Sequence, residues 1–235
     1  MKKTLIALFA LAGVAAADSI TLTLPEGAQL NPYTEALGTT CANIFSKVAD
    51  DAYGVYYGAQ NGVISSLNTN EGKWSIGENG GSITMCGRDG YQGSALALVI
   101  GGDLVAGSAI EKITFSASNK VARPSMGASA GPLTLGLAVV DNSGNILKSV
   151  SDAQFNLGAA GNSNTATLSF ADAITWKDGY KVLAVIEGPS GSGNFGGTVY
   201  TIGDISVVAT TIPEPTTATL SLLALAGLAA RRRRK

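Results

Sequence analysis

The chain contains no histidine. That absence removes the Ser-His-Asp and Cys-His arrangements that activate a nucleophile at neutral pH. It also removes histidine-ligated zinc and the side chain best suited to shuttle protons near neutrality. Cysteine is nearly missing as well. Only Cys41 and Cys86 occur, and two thiolates alone do not make a zinc site. No repeat of fixed length runs through the sequence. The 30 glycines are scattered among turns, which excludes collagen-like and solenoid architectures.

A surplus of positive charge is lacking where it would matter. The net charge of −1 over 235 residues hides an uneven distribution. Lys2, Lys3, Arg231, Arg232, Arg233, Arg234 and Lys235 lie at the two ends, and Glu214 lies in the tail, so residues 18–212 keep 9 cations and 16 anions, a net charge of −7. An acidic central region offers no basic face for nucleic acid.

The ends carry the strongest signals. Residues 1–17 have the pattern of a secretory signal peptide. Lys2 and Lys3 form the charged start, Leu5 to Val14 the apolar run, and Ala15-Ala16-Ala17 the small-residue cleavage site. The run is too short to cross a membrane, so the mature chain is expected to begin at Asp18. In the exported compartment that this implies, Cys41 and Cys86 are expected to form a disulfide, with two buried free thiols as the alternative. The bridge would close a loop of about 45 residues and stabilise by roughly 4 kcal/mol in the chain-entropy model.

At the other end, Pro213-Glu214-Pro215 precedes an apolar stretch from Ala218 to Ala230 that includes Leu220, Leu222, Leu223 and Leu225. Five cations follow, Arg231 to Lys235. As a helix the apolar stretch is about 20 Å long, short of the roughly 30 Å hydrocarbon core, so it needs bilayer thinning and arginines that reach the headgroups. The cations cost about 2.5–3.5 kcal/mol each at the bilayer centre and stay on the cytoplasmic side. The prolines keep helix or strand from running through the junction. Glu214 is thereby left in an extended tripeptide just outside the membrane, where a processing enzyme can read it.

These three elements, in this order at the extreme C-terminus, resemble the PEP-CTERM sorting signal. The resemblance covers about the last 24 residues. It implies a bacterial exported protein with a signal peptide, whose tail is recognised and cut by an exosortase, a membrane enzyme. It implies nothing about the activity of the exported domain.

Residues 18–212 form one domain, long enough to bury a sizeable core. Short strands separated by Gly/Asn turns predict an all-β fold, an antiparallel β-sandwich of jelly-roll type. Ile20 to Leu24 alternates cleanly. Further strands are expected at 83–86, 95–100, 110–115, 133–140, 146–150, 166–170, 180–186 and 199–208. Asp141 to Asn145 is read as the hairpin turn between 133–140 and 146–150. One segment has helical spacing instead: Leu37, Cys41, Ile44, Phe45, Val48 and Ala52. It predicts a helix over 40–52, capped by Thr39 or Thr40, ended by Gly54 and lying across one end of the sandwich.

Chemistry is sparse. The acids occur singly except for Asp50-Asp51, adjacent helical positions that face different ways, as a solvated helix end does. A carboxylate-pair glycoside hydrolase is therefore the least favoured reading. Asp141 to Asn145 faintly resembles a calcium loop but lacks the later glutamate, and a hairpin accounts for every residue. Apart from that calcium option, no metal or cofactor is expected. Tyr53, Tyr56, Tyr57 and Trp74, set among Gly and Asn, form the one ligand candidate, since sugar rings stack on flat aromatic faces. Ordinary aromatic packing is the alternative. The sequence points to a non-catalytic protein of the cell surface or extracellular matrix, held first in the membrane by its tail. Its expected partners are an exosortase-like enzyme, the membrane and an extracellular glycan; a purely structural coat role is the alternative.

Overall fold

The computed structural model describes residues 17–23, 29–33, 35–38, 40–59, 83–87, 94–101, 104–123, 133–155, 163–188 and 198–212. The signal peptide before Ala17, Trp74, and the tail from Pro213 onward with its apolar helix and basic cluster lie outside them.

Two six-stranded sheets face each other. The first contains β1 (Ser19–Leu22), β4 (Ile83–Gly87), β6 (Ala109–Arg123), β9 (Ser163–Phe170), β10 (Ile174–Thr175) and β12 (Thr198–Thr211). The second runs in the order β2 (Gln29–Pro32), β3 (Gly54–Ala59), β5 (Ser94–Ile100), β11 (Lys181–Glu187), β7 (Leu133–Val140) and β8 (Ile146–Phe155). β2 and β3 are parallel and every other assigned pair is antiparallel.

Side-chain alternation builds the space between the sheets. Ile113, Phe115 and Ala117 of β6 pair across to Phe170, Leu168 and Ala166 of β9. On the other side Ile113 and Phe115 meet Ala209 and Val207 of β12. They pack against Leu96, Leu98 and Ile100 of β5, Leu133, Leu135, Leu137 and Val139 of β7, and Val182, Ala184 and Ile186 of β11. With a period of two, one face of each strand enters this core.

The other face of the second sheet is buried too. The helix α1 (Cys41–Val48) lies on it. Leu37, Cys41, Ile44, Phe45, Val48 and Ala49 pack on Tyr56, Ala95, Ala97, Val99, Ala138, Val140, Leu183 and Val185. This places the helix on a sheet face rather than across an end of the sandwich, and makes the architecture three layers. The small residues explain the close approach. A Cβ added at Gly136 would lie 2.8 Å from Cys41 Cβ, Cys41 Sγ and Phe45 Cζ. Thr40 caps the helix, its Oγ1 accepting the Asn43 N–H at 3.2 Å. At the far end the Lys181 ammonium donates to the carbonyls of Asp51 (2.6 Å) and Ala49 (3.4 Å), satisfying acceptors left open by the last turn.

The expected Cys41–Cys86 disulfide is not formed. Cys41 is a free, buried thiol. It sits on α1 outside the second sheet, whereas Cys86 belongs to β4, paired with Val199 of β12 in the first sheet. A sheet and the inter-sheet core, about 10 Å thick, separate the layers, whereas disulfides need Cα atoms within about 7 Å.

Candidate functional site

The junction between domain and tail is held to its last residue. β12 is flanked by β1 and β6. Ser19 pairs with Thr210, and the Thr211 N–H donates to the Asp18 carbonyl at 2.9 Å. The Ile212 N–H donates to the Ala109 carbonyl at 2.7 Å. β12 ends at Thr211, and two residues on in the sequence stands Pro213, which has no N–H with which to extend a ladder. The tripeptide Pro213-Glu214-Pro215 follows Ile212 directly in the sequence. Ala17 and Asp18, which flank the expected cleavage point, are exposed at the start of β1.

The structure separates the candidate ligand aromatics. Tyr56 points to the helix side, only 8% exposed. Its hydroxyl donates to the Ala52 carbonyl at 2.8 Å, and its ring meets Tyr33 edge-on at 5.8 Å. Tyr57 takes the opposite, core-facing side and is half-buried, and burial raises its phenol pKa. Tyr53, at 38% exposed, precedes the strand and lies against Gly101, where an added Cβ would run into its ring. Tyr56 and Tyr57 therefore share no platform. Trp176 and Tyr180 pack edge-on at 5.6 Å beneath the turn at Gly179.

Sequence reasoning passed over Glu187 and Tyr33. Glu187 ends the apolar run of β11 on its helix-facing side and is 7% exposed. The Cys41 thiol donates to its Oε2 at 3.4 Å. Burial raises the carboxyl pKa, and hydrogen bonds from Cys41 oppose the rise only in part. Burial, and next the charge of Glu187, push the Cys41 thiol far above its ordinary range, so it is no thiolate nucleophile at neutral pH. Tyr33 donates to Asp51 Oδ2 at 2.6 Å, with the Lys47 carbonyl also in reach at 3.0 Å. Burial first, and that hydrogen bond second, raise its phenol pKa. The signal for Glu187 was available: an acid closing an apolar strand lies on a buried face whenever both faces are covered.

Among the described residues the acids gather in no cluster of three or more. Asp51 faces Tyr33, while Asp50 lies where a side chain at Gly144 would be. Asp141 spends its carboxylate on its own turn. Oδ1 accepts the N–H groups of Ser143 (2.8 Å) and Asn145 (2.9 Å), and Oδ2 accepts the Asn145 side chain at 2.9 Å. The Asn145 bonds lead in holding its pKa below the usual value. Gly144, at φ +75°, supplies the left-handed residue the turn requires. Among the described residues no group of three or more potential ligands could hold a metal ion. Nor is any helix among them long and apolar enough to cross a membrane.

The molecule is thus a two-sheet β protein whose last strand feeds directly into a C-terminal sorting signal. Residues 211–235 match the sequence model of the PEP-CTERM protein-sorting motif, which supports an exported protein processed at the membrane. No protein of curated function matches the chain. Among solved structures, the enzymatically active domain of bacteriophage CBA120 tailspike protein 4 is 15% identical, with a TM-score of 0.34 over 67% of this chain. This chain spans only 18% of that one. The CBM22-2 xylan-binding domain of Paenibacillus barcinonensis Xyn10C is 12% identical, with a TM-score of 0.37 over 68% of this chain and 88% of that domain. The Stig cyclase Fisc of Fischerella sp. TAU is 14% identical, with a TM-score of 0.35 over 68% of this chain and 75% of the cyclase. With TM-scores below 0.5, these overlaps assign neither ligand nor reaction.

Proposed function

We propose that this is a non-catalytic protein of the cell surface or extracellular matrix, a jelly-roll-like sandwich that an exosortase releases from a membrane-held precursor. The observation that carries this reading is the junction: the sorting motif begins on Thr211, the final residue of β12, and Ile212, the residue before Pro-Glu-Pro, is hydrogen-bonded to Ala109. Such a domain is cargo for its tail. The lack of histidine and the scattered acids support a passive role.

Intact-mass measurement of the native protein tests the reading. The expected product starts at Asp18 and ends near the Pro-Glu-Pro segment. A chain recovered with both Met1 and Lys235 overturns it.

Glycan binding is the specific variant, and Tyr53 supports it: the tip of its ring lies where a side chain at Gly101 would be, and the residue is exposed. Rings held this way offer a stacking face to a sugar. On a glycan array, the exported protein is expected to retain a carbohydrate that Tyr53→Ala loses. No binding above background leaves the structural coat role.

A further inference from the structure

The second sheet ends in β8, a ten-residue strand. Among the described residues its strand partner is β7 alone. Every residue from 146 to 152 is exposed except Val150, which is half-buried. Ile146 and Leu147, each 39% exposed, are two of five large apolar side chains on the described surface. Long exposed edge strands template pairing with another chain. The opposite edge of this sheet, β2, has four residues and ends in Pro32. Irregular register at both ends of the β7–β8 ladder leaves Lys148 to Ala153 as its regular part.

The charges on that part are self-complementary. Two antiparallel copies of an edge strand, related by a two-fold axis perpendicular to the sheet, keep their faces. Residues opposite one another must then have numbers of the same parity. With the axis through Val150, Lys148 stands opposite Asp152 of the second copy and Asp152 opposite its Lys148, while Val150 meets Val150. Moving the axis by one residue either way breaks both charge pairs. Lys148 and Asp152 share one face of β8, since they pair with Val139 and Leu135 of β7, both members of the inter-sheet core. Lys148 also reaches Asp172 across the sandwich edge at 2.9 Å, so it would bridge two carboxylates.

We infer that β8 is the surface through which two copies of this chain pair, antiparallel, about an axis through Val150. The two second sheets become one twelve-stranded sheet, with helices on one side and first sheets on the other. Glycan binding plays no part in this pairing.

Sedimentation of the processed exported protein tests it. A concentration-dependent dimer is expected. Lys148→Glu and Asp152→Lys each place like charges opposite one another twice, and each is expected to raise the dimer dissociation constant by about tenfold or more. Mixing the two variants restores both opposite-charge pairs, so a heterodimer of near wild-type affinity should form. The double variant K148E/D152K should likewise recover. Both side chains are exposed, and unchanged melting temperatures confirm that the variants fold. A protein monomeric at all concentrations, a dimer indifferent to either reversal, or variants that do not rescue each other overturns the inference.

Discussion

Thr211 donates its backbone N–H to the Asp18 carbonyl at 2.9 Å, and its hydroxyl reaches the same oxygen at 3.3 Å. The two residues are 193 positions apart, yet they close the domain between them. The signal peptide expected before Asp18 and the sorting tail after Ile212 are therefore joined to neighbouring strands of one sheet.

Processing should depend on the tripeptide and not on the fold. Replacing Pro213, Glu214 and Pro215 together with alanine is expected to leave uncut precursor in the membrane fraction. The substitutions lie beyond β12, which ends at Thr211, so the melting temperature is expected to stay unchanged. Normal maturation of the variant would count against the sorting assignment.

Gly136 sets how closely α1 approaches the second sheet. Replacing a strand glycine by alanine ordinarily gains about 0.4–1 kcal/mol through the unfolded chain. Here the added methyl lands 2.8 Å from Cys41 and Phe45. Overpacking of that kind costs about 1–3 kcal/mol, so Gly136→Ala is expected to destabilise on balance. Phe45→Ala should cost about 3–5 kcal/mol by opening a cavity in the same layer. Denaturant midpoints for both variants check the pair, and a stabilised Gly136→Ala would refute the close approach.

What the sequence revealed follows from the same layering. β7 was legible to the residue, Leu133–Val140, because Asp141 to Asn145 mark its end with turn chemistry. The helix start was legible through Thr40. β3 was not, since Gly-Val-Tyr-Tyr-Gly-Ala has no period. Gly54 and Gly58 fall on the helix-facing side with Tyr56, and an added Cβ at Gly58 would crowd Tyr33 and Leu37. Tyr56 and Tyr57, read as parts of one ligand patch, are divided for the same reason: neighbours along a strand take opposite faces. The consecutive apolar residues of Ser94–Ile100 and Val182 to Ile186 carried the clue that a layer covers the second face, which alternation alone does not reveal.

Cys41 should be chemically silent. A helix N-terminus ordinarily favours the thiolate, but burial and the Glu187 charge outweigh it. Iodoacetamide at mildly alkaline pH is expected to leave Cys41 unlabelled in the folded protein and to label it after unfolding, read by peptide mass spectrometry. A reductant should not move the melting temperature, because no Cys41–Cys86 bridge exists to break. Labelling at the rate of a free thiol would contradict the burial.

Glu187 gives the fold a pH dependence of definite sign. Unfolded, it loses its proton near the ordinary value of 4.5; folded, burial makes it hold the proton to higher pH. Between those points the native state binds more protons than the unfolded chain, so this residue's contribution to stability falls as pH rises through the window and then levels off. Glu187→Gln keeps an acceptor for the Cys41 thiol and cannot ionise. Its stability relative to the wild type should therefore rise from the acidic to the neutral side. Asp141, whose pKa is lowered, works oppositely and is unchanged in the variant, so it cancels from the difference. Urea midpoints of both proteins from about pH 4 to pH 8 measure that difference. Parallel curves would mean that Glu187 is as well solvated in the folded protein as in the unfolded chain, and the contact between α1 and the end of β11 would have to be discarded.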